Sequence, residues 1–240
     1  MSGVSIPAAA LAALTSIPLD PDDLDGQLRH VCEVTIDVVG GADAASVSLI
    51  TNGHPKTLGA TSDMATAADD AQYLAGAGPC LDAAQANEVV VVPDLSTEKR
   101  WPATDQMAEA GARSSLSLPL PIQAEAIAGL NIYSTRVAAF DESAVQTAME
   151  FASFAAVAVA NAMTLSTAAE QAKNLQAAME HRSVIEQAKG ILIATTGRPP
   201  EEAFNLLVQQ SQHENRKLRE IAHEIVDRAI RGGAKGVSKG

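Results

Sequence analysis

Aromatic residues and cysteines are scarce in this sequence. Its 240 residues include four Phe, two Tyr and one Trp, so Ala, Val, Leu and Ile must build the core. The two cysteines, Cys32 and Cys80, lie far apart, which excludes a disulfide framework and favours a reducing compartment. The five histidines form no cluster with cysteines or carboxylates at metal-ligand spacing. The sequence therefore predicts neither a metal site nor a cofactor.

No apolar run is long enough to cross a membrane. The longest one, residues 151–163, is too short and contains Ser153 and Asn161. The first 20 residues lack a positively charged start and hold two prolines, so they do not look like a signal peptide. We therefore expect a cytoplasmic protein with no membrane partner.

Basic residues are few in the first three quarters of the chain. Residues 1–180 carry 7 Lys and Arg against 22 Asp and Glu, a net charge of −15. Residues 181–240 carry 10 against 7, or +3, which gives −12 overall. An acidic body with a basic end indicates a division of labour between two parts. The alternative is a chance surface pattern.

Short alternating segments between turn residues predict five strands, at 46–50, 57–61, 89–93, 115–122 and 127–134. Helix signals stand at 20–32, at Pro79 and within 100–111. This order predicts an α+β domain, in which helices flank an antiparallel sheet.

Glycine and proline are absent from residues 130–189, and one helical pattern runs from about Glu142 to Thr195. Within it, apolar residues repeat at spacings of three and four: Leu165, Ala168, Ala172, Leu175 and Met179. With no partner helix in the chain, this seam predicts a parallel coiled-coil homodimer over residues 165–180. Gly190 would continue the dimer seam and let two backbones approach closely. Tight packing inside a helical bundle is the alternative.

Two further helices follow. The first begins after Pro199-Pro200, and Asn215 is expected to cap the second, which Gly232-Gly233 should end before a loose tail. Together with the long helix they predict a three-helix bundle, whose core includes Ala188, Ala203, Phe204, Leu218 and Ala222.

Arg216 and Lys217 are predicted to lie in the first turn of the third helix. Cations there oppose the helix dipole, so a phosphate site is a functional reason for them. Arg182, Lys189 and Arg219 would extend this basic surface. The alternative is a solvated face in which Arg216 pairs with Glu220.

Catalytic patterns are missing from the sequence. The segment "AGAGPC" has neither the lysine nor the hydroxyl of a phosphate-binding loop. Asp69 and Asp70 fall in a helical segment, not at the end of a strand as in a receiver domain. Cys80, near a helix start, is either a thiol of lowered pKa that could sense a signal or a small buried residue. The sequence does not predict an enzyme.

Several motifs resemble known families. The stretch "EQAKGILIATTGRPPEEAFNLLVQQSQHENRKLREIAHEIV" resembles an ANTAR domain, and "GAGPCLDA", "RWP", "RSSLSLPL" and "LNIYS" resemble a GAF domain. The order is similar to that of GAF-ANTAR regulators. The domains expected are an N-terminal segment (1–23), a GAF-like sensor (24–164), a coiled-coil linker (165–180), an ANTAR bundle (181–232) and a flexible tail (233–240).

The resemblance implies a function. ANTAR dimers bind paired stem-loops in nascent mRNA and prevent transcription termination, under control of a sensory domain that can hold a small molecule. By position, the implied RNA contacts are Lys189, Arg216 and Lys217, then Arg182 and Arg219. The "NKFDE" pattern of cyclic-nucleotide-binding GAF domains is absent. Two alternatives are a DNA-binding regulator with a GAF sensor and a protein-interaction scaffold.

Overall fold

The structure, a computed structural model, describes residues 8–15, 20–122 and 126–237. The chain forms two compact units, Met1–Ala169 and Glu170–Gly240, called unit 1 and unit 2 below. One helix, α6 (Glu142–Thr196), begins in unit 1 and ends in unit 2.

Unit 1 is built on a five-stranded antiparallel sheet. Its strands are β1 (Ala44–Thr51), β2 (His54–Ala60), β3 (Val90–Val92), β4 (Ser114–Leu120) and β5 (Ala126–Ser134). They lie in the order β2-β1-β5-β4-β3. This confirms the predicted α+β fold, and each predicted strand overlaps an observed one.

Helices cover both faces of this sheet. They are α1 (Ala8–Thr15), α2 (Leu24–Val38), α3 (Asp63–Ala75), α4 (Pro79–Ala86), α5 (Thr104–Glu109) and the first part of α6. The start of α2 is capped by Asp23, which accepts a hydrogen bond of 2.9 Å from the Gly26 amide. α4 starts at Pro79, as predicted from the fixed φ of proline. α1 was not predicted, yet it buries Ala10 and Leu14 in the core.

The two faces of the sheet differ in chemistry because side chains alternate along each strand. One face is aliphatic and packs with α1, α2 and α6 into the main core of unit 1. On it, Val47, Leu118 and Leu130 are each at most 1% exposed. The other face, beneath α3 and α4, carries polar side chains.

Unit 2 is a small helical bundle. The end of α6 packs with α7 (Pro200–Glu214) and α8 (Leu218–Val237) around a core of Val184, Ala188, Leu207, Ile221 and Ala222. Of the predicted core residues, Ala188, Ala203 and Ala222 are fully buried and Leu218 packs against the core. Phe204 does not belong to it, because its side chain is 40% exposed.

Asn215 ends α7 instead of starting α8. Its φ of 50° is left-handed, a conformation that asparagine adopts more readily than most residues. The Arg216 amide then donates to the Ser211 carbonyl at 3.0 Å, which satisfies the last turn of α7. The predicted N-cap was therefore wrong. Arg216 and Lys217 precede α8, and the Lys217 carbonyl accepts from the Glu220 amide at 2.8 Å.

The third helix is longer than predicted. It continues through Gly232 and Gly233 to Val237. A glycine costs only about 1 kcal/mol inside a helix, and no proline follows to stop it. The predicted tail at 233–240 is thus helical as far as Val237, and residues 238–240 lie outside the described residues.

Among the described residues, one helix, α6, is long and apolar enough to cross a membrane by length and composition. The sequence prediction had considered only its Ala/Val-rich run. In unit 1 this stretch buries Phe151, Ala155 and Val159 completely against the core. Phe154 and Val157 in the same stretch are 46% and 59% exposed, so burial in unit 1 accounts for only part of its apolar character.

Candidate functional site

The sheet face beneath α3 and α4 forms a buried polar layer. The strands contribute Ser and Asn side chains and a Tyr, and α3 contributes two polar residues. The layer consists of Ser46, Ser48, Asp69, Gln72, Ser115, Ser117, Asn131 and Tyr133, none more than 1% exposed. The strand register aligns it, because Asn131 lies between Ser46 on β1 and Ser117 on β4.

Asp69 is at the centre of the polar layer. One carboxylate oxygen accepts hydrogen bonds from the Tyr133 hydroxyl at 2.5 Å and the Asn131 amide at 3.0 Å. The other accepts from the Thr57 hydroxyl at 2.7 Å. Burial raises the pKa of Asp69 from 3.8 to about 6, against the opposing effect of these hydrogen bonds.

The position of Cys80 bears on the two alternatives predicted for it. Its sulfur would lie 3.5 Å from a Cβ added at Gly129, so it faces the polar layer from α4. Burial, together with repulsion from Asp69, raises the pKa of the Cys80 thiol from 9.0 to about 12. The structure therefore favours the second alternative, a small buried residue, over a thiol of lowered pKa. A buried, protonated thiol is a poor nucleophile, so the geometry favours a packing role for Cys80.

The glycine-rich segment before Cys80 lets α3 cap α4. The Gln72 side-chain oxygen accepts a hydrogen bond of 2.8 Å from the Cys80 amide. A Cβ at Gly78 would come within 2.5 Å of the Gln72 side chain, so only glycine leaves room for this contact. The "AGAGPC" motif thus closes one end of the polar layer.

An open groove on the surface of unit 1 approaches the polar layer and is lined by Thr57, a neighbour of Asp69. It has a volume of about 500 Å³, and its lining includes Asp25, Arg29, Thr57 and Asp63. Thr57 belongs to both regions, because its hydroxyl also bonds to Asp69. Arg29 pairs with Asp25 at 3.5 Å, which leaves the groove with excess negative charge.

The basic residues of unit 2 fall into separate places. Arg216 is surrounded by carboxylates: its guanidinium lies 2.8 Å from Glu214, 2.9 Å from Glu224 and 3.8 Å from Glu220. The hydrogen bonds that Arg216 donates to Glu224 and Glu214 raise the pKa of its guanidinium. The alternative pairing with Glu220 is thus present, as the longest of three contacts.

Lys189 lies in a different groove, of about 410 Å³, beside Phe204 and Asn205. Its ammonium pairs with Glu186 at 2.5 Å. The sequence analysis places Phe204 in the bundle core, because this residue is apolar and follows Ala203. Its exposure beside Lys189 was therefore not predicted.

Three of the five predicted contacts remain available for a ligand. No carboxylate in the described residues forms an ion pair with Lys217, Arg182 or Arg219. Lys217 and Arg182 are exposed, and Arg219 is half-buried. The structure therefore separates the five predicted contacts into three free cations and two that carboxylates neutralise.

The predicted dimer seam is open to solvent in the chain. Leu175 and Met179 are 65% and 62% exposed. A Cβ at Gly190 would meet no atom within 4 Å, so tight packing inside the bundle does not explain this glycine. Within the described ranges, no group of three or more His, Cys, Asp or Glu is placed to hold a metal ion.

Comparisons with known proteins identify both units. The GAF domain model matches residues 21–160, and the ANTAR domain model matches residues 173–226. Curated proteins give no match.

Solved structures give similarities to the first unit. Type II free methionine-R-sulfoxide reductase from Thermoplasma acidophilum is 19% identical, covering 59% of this chain and 95% of that one, with a TM-score of 0.47. The GAF domain of a phosphoenolpyruvate-protein phosphotransferase from Coxiella burnetii is 18% identical, covering 68% and 98%, with a TM-score of 0.48.

The two family matches decide the assignment. The GAF match covers more than half of the chain, and the ANTAR match follows it along the sequence. The chain therefore belongs to the family of GAF-ANTAR regulators.

Proposed function

We propose that this regulator binds stem-loops in nascent mRNA through its ANTAR domain and prevents transcription termination in response to a signal at its GAF domain. The observation that carries the proposal is the ANTAR match over residues 173–226, which contains all five candidate contacts. In this proposal the protein acts in the cytoplasm, without enzymatic activity.

The free cations support a phosphate-binding surface. Lys217, Arg182 and Arg219 can each approach an RNA phosphate without first losing an ion pair within the chain. Phe204 adds a contact that the sequence did not suggest. Unpaired loop bases commonly stack on exposed aromatic side chains, and Phe204 is 40% exposed in a groove that Lys189 also lines.

The proposal includes a parallel homodimer. The seam of Leu165, Ala168, Ala172, Leu175 and Met179 presents its larger side chains to solvent, as a coiled coil would require before pairing. Two copies would bring two ANTAR domains to one transcript, which suits a target with two stem-loops.

Binding and transcription assays on the full chain test this function. The ligands are an RNA with two hairpins, the corresponding duplex DNA and a scrambled RNA of equal length. We expect tightest binding to the two-hairpin RNA and increased readthrough of a terminator placed after it. Stronger binding to the duplex would indicate a DNA-binding regulator. A lack of binding to all three would favour an interaction scaffold.

A further inference from the structure

The polar layer contains buried atoms that lack hydrogen-bond partners. They are the side-chain oxygens of Asn131, Ser115 and Ser117. Nearly all buried polar groups in folded proteins are hydrogen-bonded, because leaving one unpaired costs roughly 1–3 kcal/mol. All three lie on the sheet face that α3 covers with Asp69. The shared position indicates that a bound molecule completes this layer.

The carboxylate of Asp69 lacks a positive partner. Its hydrogen-bond donors, which include Tyr133, Asn131, Thr57 and Ser46, are all neutral groups. Across the described residues, no Lys, Arg or His forms an ion pair with it. Buried carboxylates are normally paired with a cation, because their desolvation is costly. The layer therefore lacks a positively charged group that donates hydrogen bonds to Asp69.

The groove at Thr57 is the nearest open space to Asp69 among the described grooves, and the Thr57 side chain lies between the two. It reaches solvent on one side, and Thr57 contacts Asp69 on the other. Asp25 and Asp63 outnumber Arg29 among its charged residues, so its electrostatic potential attracts cations.

We propose that the GAF domain binds a small molecule with a protonated amine, which pairs with Asp69 and donates a hydrogen bond to the Asn131 side-chain oxygen. This inference rests on the proposed role of the GAF domain as the sensor. It names the chemical class of the signal, whereas the RNA-binding proposal concerns the other domain.

Three probes of equal size test the charge requirement. They are 3-aminopropan-1-ol, propane-1,3-diol and 3-hydroxypropanoate, which are cationic, neutral and anionic at neutral pH. Each is titrated into the full chain without RNA, and the side-chain amide signal of Asn131 is followed by NMR. We expect a saturable shift with the amine at millimolar concentration, and binding at least about tenfold weaker for the other two.

Two matched variants locate the site. Asp69→Asn keeps the shape and removes the charge, and it should abolish the amine response. Asp70→Asn removes the same charge from an exposed neighbour and should leave the response unchanged. The proposal is overturned if the amine causes no saturable shift, if all three probes act alike, or if Asp69→Asn still responds. Because RNA is absent, none of these outcomes depends on whether the ANTAR domain binds RNA.

Discussion

A single carboxylate dominates the electrostatics of the GAF core. Asp69 is fully buried, and desolvation raises its pKa to about 6. In the unfolded chain it should titrate near its ordinary value of 3.8. Between these two values the folded protein binds more protons than the unfolded one, so stability falls as pH rises through about 6. Above about pH 6, the charged carboxylate lowers the stability of the folded protein by an amount that no longer changes with pH.

Replacing Asp69 with Asn should therefore stabilise the free protein in alkaline buffer. The shift of about two pKa units corresponds to a gain on the order of 3 kcal/mol at about pH 8. The gain should shrink as pH falls through about 6 and vanish only well below pH 3.8, where the carboxyl is neutral in both states. Calorimetric melting of wild type, Asp69→Asn and Asp70→Asn across this range measures it. A stability difference that is constant with pH would contradict the assignment.

The cations of the ANTAR domain should differ in their effect on RNA. Lys217 has no ion pair with a described carboxylate, whereas Arg216 is held by Glu214, Glu220 and Glu224. Lys217→Ala should therefore weaken RNA binding by about 1 kcal/mol or more. It should also reduce the slope of log K against log salt by roughly 0.7–0.9.

Arg216→Ala should have the smaller effect on both quantities, because carboxylates already neutralise that charge. Binding isotherms at several salt concentrations test the pair of variants. Lys56→Ala, which removes an exposed charge from the GAF domain, is the control and should bind like wild type. A larger loss for Arg216→Ala than for Lys217→Ala would show that RNA displaces the three carboxylates.

At the scale of elements, helix α6 carries the proposed dimer contact. Leu175 stands at a d position of the heptad and is 65% exposed in the chain. Leu175→Glu should convert a dimer to a monomer, because it places two charges against each other in the seam. Sedimentation equilibrium at micromolar concentration measures the change. Asn174→Glu adds the same charge at an outer c position and should remain dimeric. A monomeric wild type would contradict the seam.

Helices and strands were predicted well where the spacing of apolar residues determines them. Alternating polar and apolar residues located the strands of the sheet. The helical pattern located the C-terminal end of α6 to within one residue. The end of α7 was missed because Asn favours both N-caps and left-handed C-caps. The sequence does not show which capping role Asn215 takes. That role depends on which carbonyl accepts the hydrogen bond of the Arg216 amide.

The polar layer could not be predicted from single strands. Alternation in β1 and β4 is typical of strands with one solvent-facing side, so their serines read as exposed. Only the tertiary structure shows that α3 and α4 cover that side. The sequence did contain a sign of the polar layer: Ser stands at every second position of β1 and β4, and Asn131 and Tyr133 stand on β5. Its meaning depended on which strands are neighbours, and strand order is a property of the whole sheet.

At the scale of the whole molecule, the charge division matches the two domains. The excess of negative charge lies in the GAF domain, where a cationic signal is proposed, and residues 181–240, where RNA is proposed, carry +3. The acidic GAF domain is thus suited electrostatically to a cation and repels RNA.

If the two sites are coupled, the coupling must be reciprocal. A saturating amine that changes the RNA dissociation constant by some factor requires RNA to change the amine dissociation constant by the same factor. We expect a factor of roughly 5 to 150, the usual range for regulatory coupling. Titrating RNA with and without 3-aminopropan-1-ol, and the amine with and without RNA, measures both sides of this cycle. Asp69→Asn should still bind RNA but show no response to the amine, because the variant removes the charge that the amine pairs with. If saturating amine leaves the RNA affinity of the wild type unchanged, amine binding and RNA binding are independent. That outcome would contradict signalling through Asp69.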